Sequence, residues 1–120
     1  MNDTARAKTV RLFLLFSMQE DAAPWQALID ETVRAVQQEL RPDADENDIR
    51  LCYYAAARAN LRYRQILAAN AAVSPTYAGA VPRTRDDSTP CSFAERLVTA
   101  YRAAAADLLR DRKFVFSGIG

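Results

Sequence analysis

The chain has 120 residues, of which 50% are hydrophobic and 26% are charged, and its net charge is +1 at pH 7. This composition predicts a single globular domain over residues 1–120 and excludes a disordered chain. The small net charge gives no global reason to expect binding to nucleic acid or to a membrane. Because glycine and proline are scarce, at 3 and 5 residues, we expect long helices and an all-α fold.

Histidine and paired cysteines, which serve much of enzyme and metal chemistry, are missing from the sequence. Histidine is absent and there are only 2 cysteines, Cys52 and Cys91, far apart in the sequence. The chain therefore lacks the commonest general base, the commonest metal ligand and the cysteine pairs of a zinc site. No glycine-rich phosphate loop is present either. We expect no enzyme activity, no cofactor and no metal. Without a disulfide framework, a reducing cytoplasm is the expected site of synthesis.

The first helix is predicted over residues 8–17, with residues 1–9 as a mobile arm. Basic residues before its apolar run resemble the start of a signal peptide. The run is too short to span a membrane and no A-x-A cleavage site follows it, so we assign it to the core. Ser17 and Glu20 have the spacing of a capping box for the next helix, and Asp21 is a second candidate cap.

Two further helices follow with clear periodicity. The second is predicted from about Pro24 to about Leu40, since apolar residues recur at three- and four-residue steps, namely Trp25, Leu28, Ile29, Val33, Val36 and Leu40. Asp45 or Asn47 can cap the third helix, residues 48–72. One apolar face of that helix contains Ile49, Cys52, Tyr53, Ala56, Tyr63 and Leu67, and a second contains Leu51, Ala55 and Leu61. We therefore expect the third helix at the centre of a small bundle of three to four helices.

Residues 73–91 are predicted to form an irregular loop or a hairpin, because they contain three prolines and one glycine. Residues 76–81 are the candidate hairpin arm. The expected contact residues of the loop are Tyr77, Val81, Arg83 and Arg85. Ser92 and Glu95 then form a second capping box. The final helix is predicted to extend to about Arg110, with a buried face made by Phe93, Leu97, Tyr101, Ala104 and Leu108.

The long helix has a stripe of basic residues that includes Arg50, Arg58 and Arg62. Residues 1–50 contain 6 basic and 10 acidic side chains, a net of −4, whereas residues 51–120 contain 10 and 5, a net of +5. The stripe can face DNA phosphates or the acidic half of a neighbouring copy. We favour a solvated face whose arginine stems cover apolar neighbours, together with pairing of the two halves inside one chain.

The chain ends in a predicted interaction tail, residues 112–120, with a short β-strand. On such a strand Phe114 and Phe116 lie on one side and Val115 on the other, and Ile119 follows between two glycines. The strand can fold back over its own helices, pair with the loop at residues 73–91, or add to a sheet edge on another chain.

The order of these elements resembles the head–tail connector (adaptor) proteins found in the neck of tailed bacteriophages and prophages. The resemblance covers about residues 10–120. It is carried mainly by the alanine- and tyrosine-rich helix "DIRLCYYAAARANLRYRQIL" and by "LLRDRKFVF" near the end. These are patterns of residue type rather than catalytic signatures. The loop departs from the family, where a turn with glycine and acidic residues is frequent, because "SPTYAGAVPRTRDD" is rich in proline and arginine.

The resemblance implies a virion structural protein that forms a ring, usually dodecameric, beneath the portal. Its implied partners are other copies of itself, the portal protein, and the tail or a tail-completion protein. DNA would pass through the ring without sequence-specific binding, and neither a cofactor nor a membrane is implied. The tail and the loop would make the contacts, and Arg50, Arg58 and Arg62 would line the channel or bridge subunits. The residues alone leave two alternatives: a helical DNA-binding or regulatory protein, and a small bundle that binds a single partner.

Overall fold

The computed structural model describes the backbone of residues 1–73 and 85–110, and the side chains of residues 1–71 and 90–110. Within these ranges the protein is all-α, as predicted. The helices follow in the order α1 (Asp3–Ser17), α2 (Gln26–Gln38), α3 (Ile49–Val73) and α4 (Arg85–Ala104). Single turns of 3-10 helix at Ala23–Trp25 and Ala106–Leu108 precede α2 and follow α4.

Helix α1 begins earlier than predicted, at Asp3 rather than at residue 8. Asn2 caps it, since its side-chain Oδ1 accepts a hydrogen bond from the backbone N–H of Ala5 at 2.8 Å. Ala5 and Thr9 are buried on the inner side of this first part. The prediction of a mobile arm at residues 1–9 is therefore wrong, because a cap and a buried face hold this stretch in the helix.

The end of α1 lies where a capping box was predicted to begin. Ser17 is the last residue of α1, and its hydroxyl donates to the carbonyl of Phe13 at 2.7 Å. Met18 follows in the left-handed region with φ 60°, which is uncommon for a residue other than glycine. Ser17 thus ends one helix instead of starting the next. Asp21, the second candidate, does accept from the N–H of Ala23 at 3.0 Å.

Helix α2 follows the predicted apolar stripe. Three side chains of the stripe are buried, namely Ile29, Val33 and Val36, and three are partly buried against the core, namely Trp25, Leu28 and Leu40. The cap of the next helix differs from the prediction. Asp48, rather than Asp45 or Asn47, accepts a hydrogen bond from the N–H of Arg50, at 2.9 Å, because α3 begins directly after it.

Helix α3 is the centre of the fold, as predicted, and its bounds differ from the prediction by one residue at each end. It packs against α1, α2 and α4. Six of its own residues are fully buried, and most of them are small, namely Leu51, Cys52, Ala55, Ala56, Ala57 and Ala59. These alanines let neighbouring helices approach closely. Ile49 and Leu67, which lie toward the ends of α3, are 44% and 39% exposed, so their predicted burial is wrong.

Helix α4 begins at Arg85, seven residues before the predicted capping box, and contains Pro90. Residues 85–91 therefore belong to a helix and not to the predicted loop at 73–91. Arg85, expected as a loop contact, is the first residue of α4. Ser92 lies inside the helix, where the backbone N–H groups already have helical partners and a cap has no role.

The buried face of α4 also differs from the prediction. Ala94 and Ala105 are buried, and Val98 and Tyr101 lie partly buried between them. These four positions recur at three- and four-residue steps and face the core. Phe93 is 59% exposed because it precedes the buried Ala94 by one residue and so points about 100° away from that face.

The two chain segments that follow α2 and α4 are joined by an antiparallel bridge between Leu40 and Leu109. The N–H of Arg41 donates to the carbonyl of Leu108 at 2.9 Å, and the N–H of Arg110 donates to the carbonyl of Glu39 at 2.8 Å. This bridge fixes both the position and the direction of the chain at the last described residue.

Candidate functional site

Arg50, the first arginine of the predicted basic stripe, is paired inside its own chain. Its guanidinium contacts the Asp48 carboxylate at 3.0 Å and that of Asp107 at 2.9 Å, and it donates to the carbonyl of Ala104 at 3.3 Å. The hydrogen bonds from Arg50 hold the pKa of Asp48 below its usual value. Arg50 thus ties the start of α3 to the end of α4.

Arg58, the second predicted arginine, belongs to what we call the Glu39 cluster: Glu39, Tyr54, Arg58 and Arg102. The Glu39 carboxylate lies 2.6 Å from Nη1 of Arg58 and 3.4 Å from Nη1 of Arg102. Arg102 also donates to the Tyr54 hydroxyl at 2.9 Å. Both guanidinium groups lie over the Tyr54 ring, at 5.4 and 5.9 Å from its centre.

The Glu39 cluster connects three elements: the C-terminal end of α2, the middle of α3 and the last turn of α4. Burial alone lowers the pKa of Arg58, but its hydrogen bond to Glu39 raises it, and the pKa of Arg58 is raised on balance. Arg58 therefore stays charged. Two guanidinium groups share one carboxylate here, so these four side chains carry a net positive charge.

Arg62, the third predicted arginine, has a different setting. It is exposed and forms no ion pair with any residue whose side chain the structure describes. It borders a surface groove between α2 and α4, with α3 as its floor, which we call the α2–α4 groove. The groove is lined by Leu28, Glu31, Thr32, Ala35, Arg58, Leu61, Arg62, Gln65 and Val98.

A second groove, between α1, α3 and α4, was not predicted from the sequence. Phe16, Phe93 and Leu97 give it an apolar lining, and Pro90 lies at one side. Asn60 lies at its base, only 3% exposed, and its Oδ1 has no hydrogen-bond partner among the described residues. Nearby large apolar residues at the end of α1 are also exposed: Leu15 at 69% and Met18 at 83%. We call this region the apolar end of the bundle.

The remaining predicted contact residues lie outside the described residues. These are Tyr77, Val81 and Arg83 of the loop, and Phe114, Val115, Phe116 and Ile119 of the tail. The candidate hairpin at residues 76–81 lies there too. Among the described residues, no cluster of side chains suited to a metal ion is found. No helix in the described ranges is long and apolar enough to cross a membrane.

A scan against protein-family models finds no match for this chain. A search of curated proteins and a search of solved structures likewise find none.

The sequence pattern pointed to Arg58 but to neither Glu39, its partner, nor Arg102, the second arginine of the cluster. Glu39 is 15, 19 and 63 residues away from Tyr54, Arg58 and Arg102, so no local spacing connects them. The apolar end was missed because Phe93 was assigned to the core. Leu15 gives a weak sequence signal. Phe13 and Phe16 are three residues apart and share the inner face of α1, so Leu15 between them falls on another side of the helix although it is apolar.

Proposed function

We propose that this protein is a structural assembly protein of the head–tail connector type, which forms a ring between the portal and the tail of a phage virion. The observation that carries the proposal is the apolar end of the bundle. Phe93 is 59% exposed and lines an apolar groove together with Phe16 and Leu97. Leu15 and Met18 at the end of α1 are exposed as well, and an exposed apolar groove is typical of protein–protein contacts.

The setting of the arginines supports the assembly role over the DNA-binding alternative. Arg50 and Arg58 are paired with carboxylates of their own chain, so two of the three candidate residues are engaged in holding the helices together. Only Arg62 among the three remains as an unpaired surface charge within the described side chains. A ring around sliding DNA needs weak and sequence-independent contact, which a few exposed arginines can supply.

The proposal includes the two segments outside the described residues. Residues 112–120 form a short β-strand that contacts a neighbouring copy or the portal, and the loop between α3 and α4 forms a second contact, as a hairpin or as irregular chain. Both roles come from the sequence pattern and from the resemblance to connector proteins.

Mass in solution tests the assembly role directly. Light scattering over a concentration series, with and without the portal protein encoded by the same genome, should give a closed ring or a complex with the portal. Deleting residues 114–120 should abolish that assembly and leave the helical circular dichroism unchanged. A Phe93→Ser variant should weaken assembly as well, whereas Glu20→Gln on the exposed turn should not. A chain that stays monomeric and binds no portal protein would overturn the proposal.

A gel-shift series at increasing salt separates the DNA-binding alternative. A DNA-binding protein should shift a duplex at low salt, and Arg62→Gln should reduce both the affinity and its salt dependence. For a connector we expect no stable shifted complex at physiological salt.

A further inference from the structure

The antiparallel bridge places the end of the described chain beside the α2–α4 groove. In the bridge, Arg110 pairs with Glu39 and Leu108 pairs with Arg41. The chain at residues 108–110 therefore runs antiparallel to residues 39–41, from Arg41 toward Glu39, and its last described residue lies beside the C-terminal end of α2. The Glu39 cluster lies at this point, and the α2–α4 groove begins beside it with Arg58.

The length of the remaining chain matches the length of the groove. From Glu39 to Leu28 along α2 there are 11 residues in the sequence, which corresponds to about 16 Å at 1.5 Å per residue. An extended chain advances about 3.3 Å per residue, so residues 111–116 span about 20 Å. An extended segment that starts at Arg110 and follows α2 brings residues 114–116 level with the groove wall at Leu28 and Thr32.

The chemistry of the groove matches the segment in the same order. The first residues after Arg110 are Asp111, Arg112 and Lys113. Asp111 arrives beside the Glu39 cluster, where two guanidinium groups share one carboxylate, and Glu31 in the groove lining is the acidic partner for the two basic residues that follow. Further along, Leu28, Leu61 and Val98 provide an apolar patch that α2 and α4 flank without covering. Phe114 and Phe116 lie on one side of an extended strand and meet this patch together.

We propose that the α2–α4 groove is the docking site for residues 111–116 of the same chain, with Phe114 and Phe116 as its apolar anchors. This inference does not depend on the connector role, because it concerns the free subunit. The α1–α3–α4 groove at the apolar end remains open to other partners in this arrangement.

Paramagnetic broadening in the full-length chain tests the proposal. With Cys91→Ser, a spin label can be placed at a single Ser117→Cys site, since the remaining Cys52 is buried. The label should remove most of the intensity of the Leu28, Leu61 and Val98 methyl signals and spare the Leu15 methyls. Chain that carries both the spin label and the isotope label is diluted into an excess of chain that carries neither. The broadening then reports only contacts within one molecule.

Two variants provide the matched controls. Val98→Glu places a charge in the groove and should restore the methyl intensity of Leu28 and Leu61 with unchanged circular dichroism. Leu15→Glu places the same charge at the apolar end and should leave the broadening intact. If Val98→Glu fails to fold, a Phe114→Ser, Phe116→Ser double variant removes the anchors from the other side and should restore the intensity.

Each other outcome overturns the proposal. Unbroadened groove methyls in the diluted sample would show that the tail does not dock there. Broadening that appears only when isotope-labelled and spin-labelled chains are mixed would show that the occupant is the tail of a second copy. Broadening of Phe93 or Leu97 signals in place of Leu28 would put the tail in the groove at the apolar end.

Discussion

Replacing Glu39 with glutamine should destabilise the protein by about 1.5 kcal/mol. The carboxylate contacts two guanidinium groups, at 2.6 and 3.4 Å, with its side chain 36% exposed. A charge-assisted hydrogen bond contributes about 1.5–3 kcal/mol when buried, and exposed pairs contribute about 0.2–1 kcal/mol, so two half-exposed contacts come to about 1.5 kcal/mol together. In a chain of this size, that loss lowers the Tm by roughly 5 °C.

A double-mutant cycle shows whether the loss comes from the contact itself. Urea unfolding of Glu39→Gln, Arg58→Met and the double variant should give a coupling energy of about 1 kcal/mol. Arg62→Met is the matched control, because Arg62 lies one turn further along α3 and is exposed. Its coupling to Glu39→Gln should be close to zero. Glu20→Gln, the same chemical change at an exposed carboxylate, should leave stability unchanged within about 0.5 kcal/mol.

Equal coupling of Glu39 to Arg58 and to Arg62 would contradict a contact within the Glu39 cluster, since the effect would then be long-range charge. A coupling to Arg58 that vanishes at low salt would refute it too, because screening is weakest there.

Three further predictions concern the body of the fold. Phe13→Ala should lower the free energy of unfolding, measured with urea, by about 3–4 kcal/mol, because Phe13 is fully buried. Leu15→Ala, on the exposed side of α1, should lower it by less than about 0.5 kcal/mol. Ala56→Leu should cost about 1–3 kcal/mol by overpacking the enclosed middle of α3, whereas Ala69→Leu at an exposed position should be neutral or better in the same assay. Asp48→Asn keeps a capping oxygen but loses the charge paired with Arg50. Since the pKa of Asp48 is lowered in the folded state, wild type should be the more stable of the two at neutral pH. That difference should disappear as the pH falls below the ordinary value of 3.8 through the folded-state pKa, and a difference that persists in acid would assign the effect to capping geometry.

The parts of the fold that could be predicted are those that depend on the spacing of apolar residues near one another in the sequence. The stripe of α2 and the bounds of α3 follow from apolar residues at helical steps. The burial of the α2 stripe agrees with the pattern, whereas Ile49 and Leu67 toward the ends of α3 are exposed. Helix ends were harder, because Ser17 and Ser92 stand in sequences that resemble N-terminal caps, whereas Ser17 is the last residue of α1 and Ser92 lies inside α4. A capping motif adds about 1 kcal/mol, which burial of one face of a helix readily exceeds.

The candidate sites were harder still, for a physical reason. An ion pair such as Glu39 with Arg102 joins residues that are 63 positions apart, so it exists only after three helices have packed. Phe93 shows the same limit on the apolar side. Its place in the pattern fits a buried face, but the neighbouring Ala94 is the residue that is buried, while Phe93 is 59% exposed.

The bridge between Leu40 and Leu109 also determines how this protein would bear a mechanical load. In an antiparallel pair the hydrogen bonds run perpendicular to the strands. A pull on the chain beyond Arg110, directed along the strand, therefore strains the two backbone bonds at the same moment instead of breaking them one after the other. Arg41 adds a third contact, from its Nε to the carbonyl of Leu109 at 2.8 Å. Tension applied to the last residues would thus pass into the end of α2 and through Glu39 into α3, and the helices would share the force as one body.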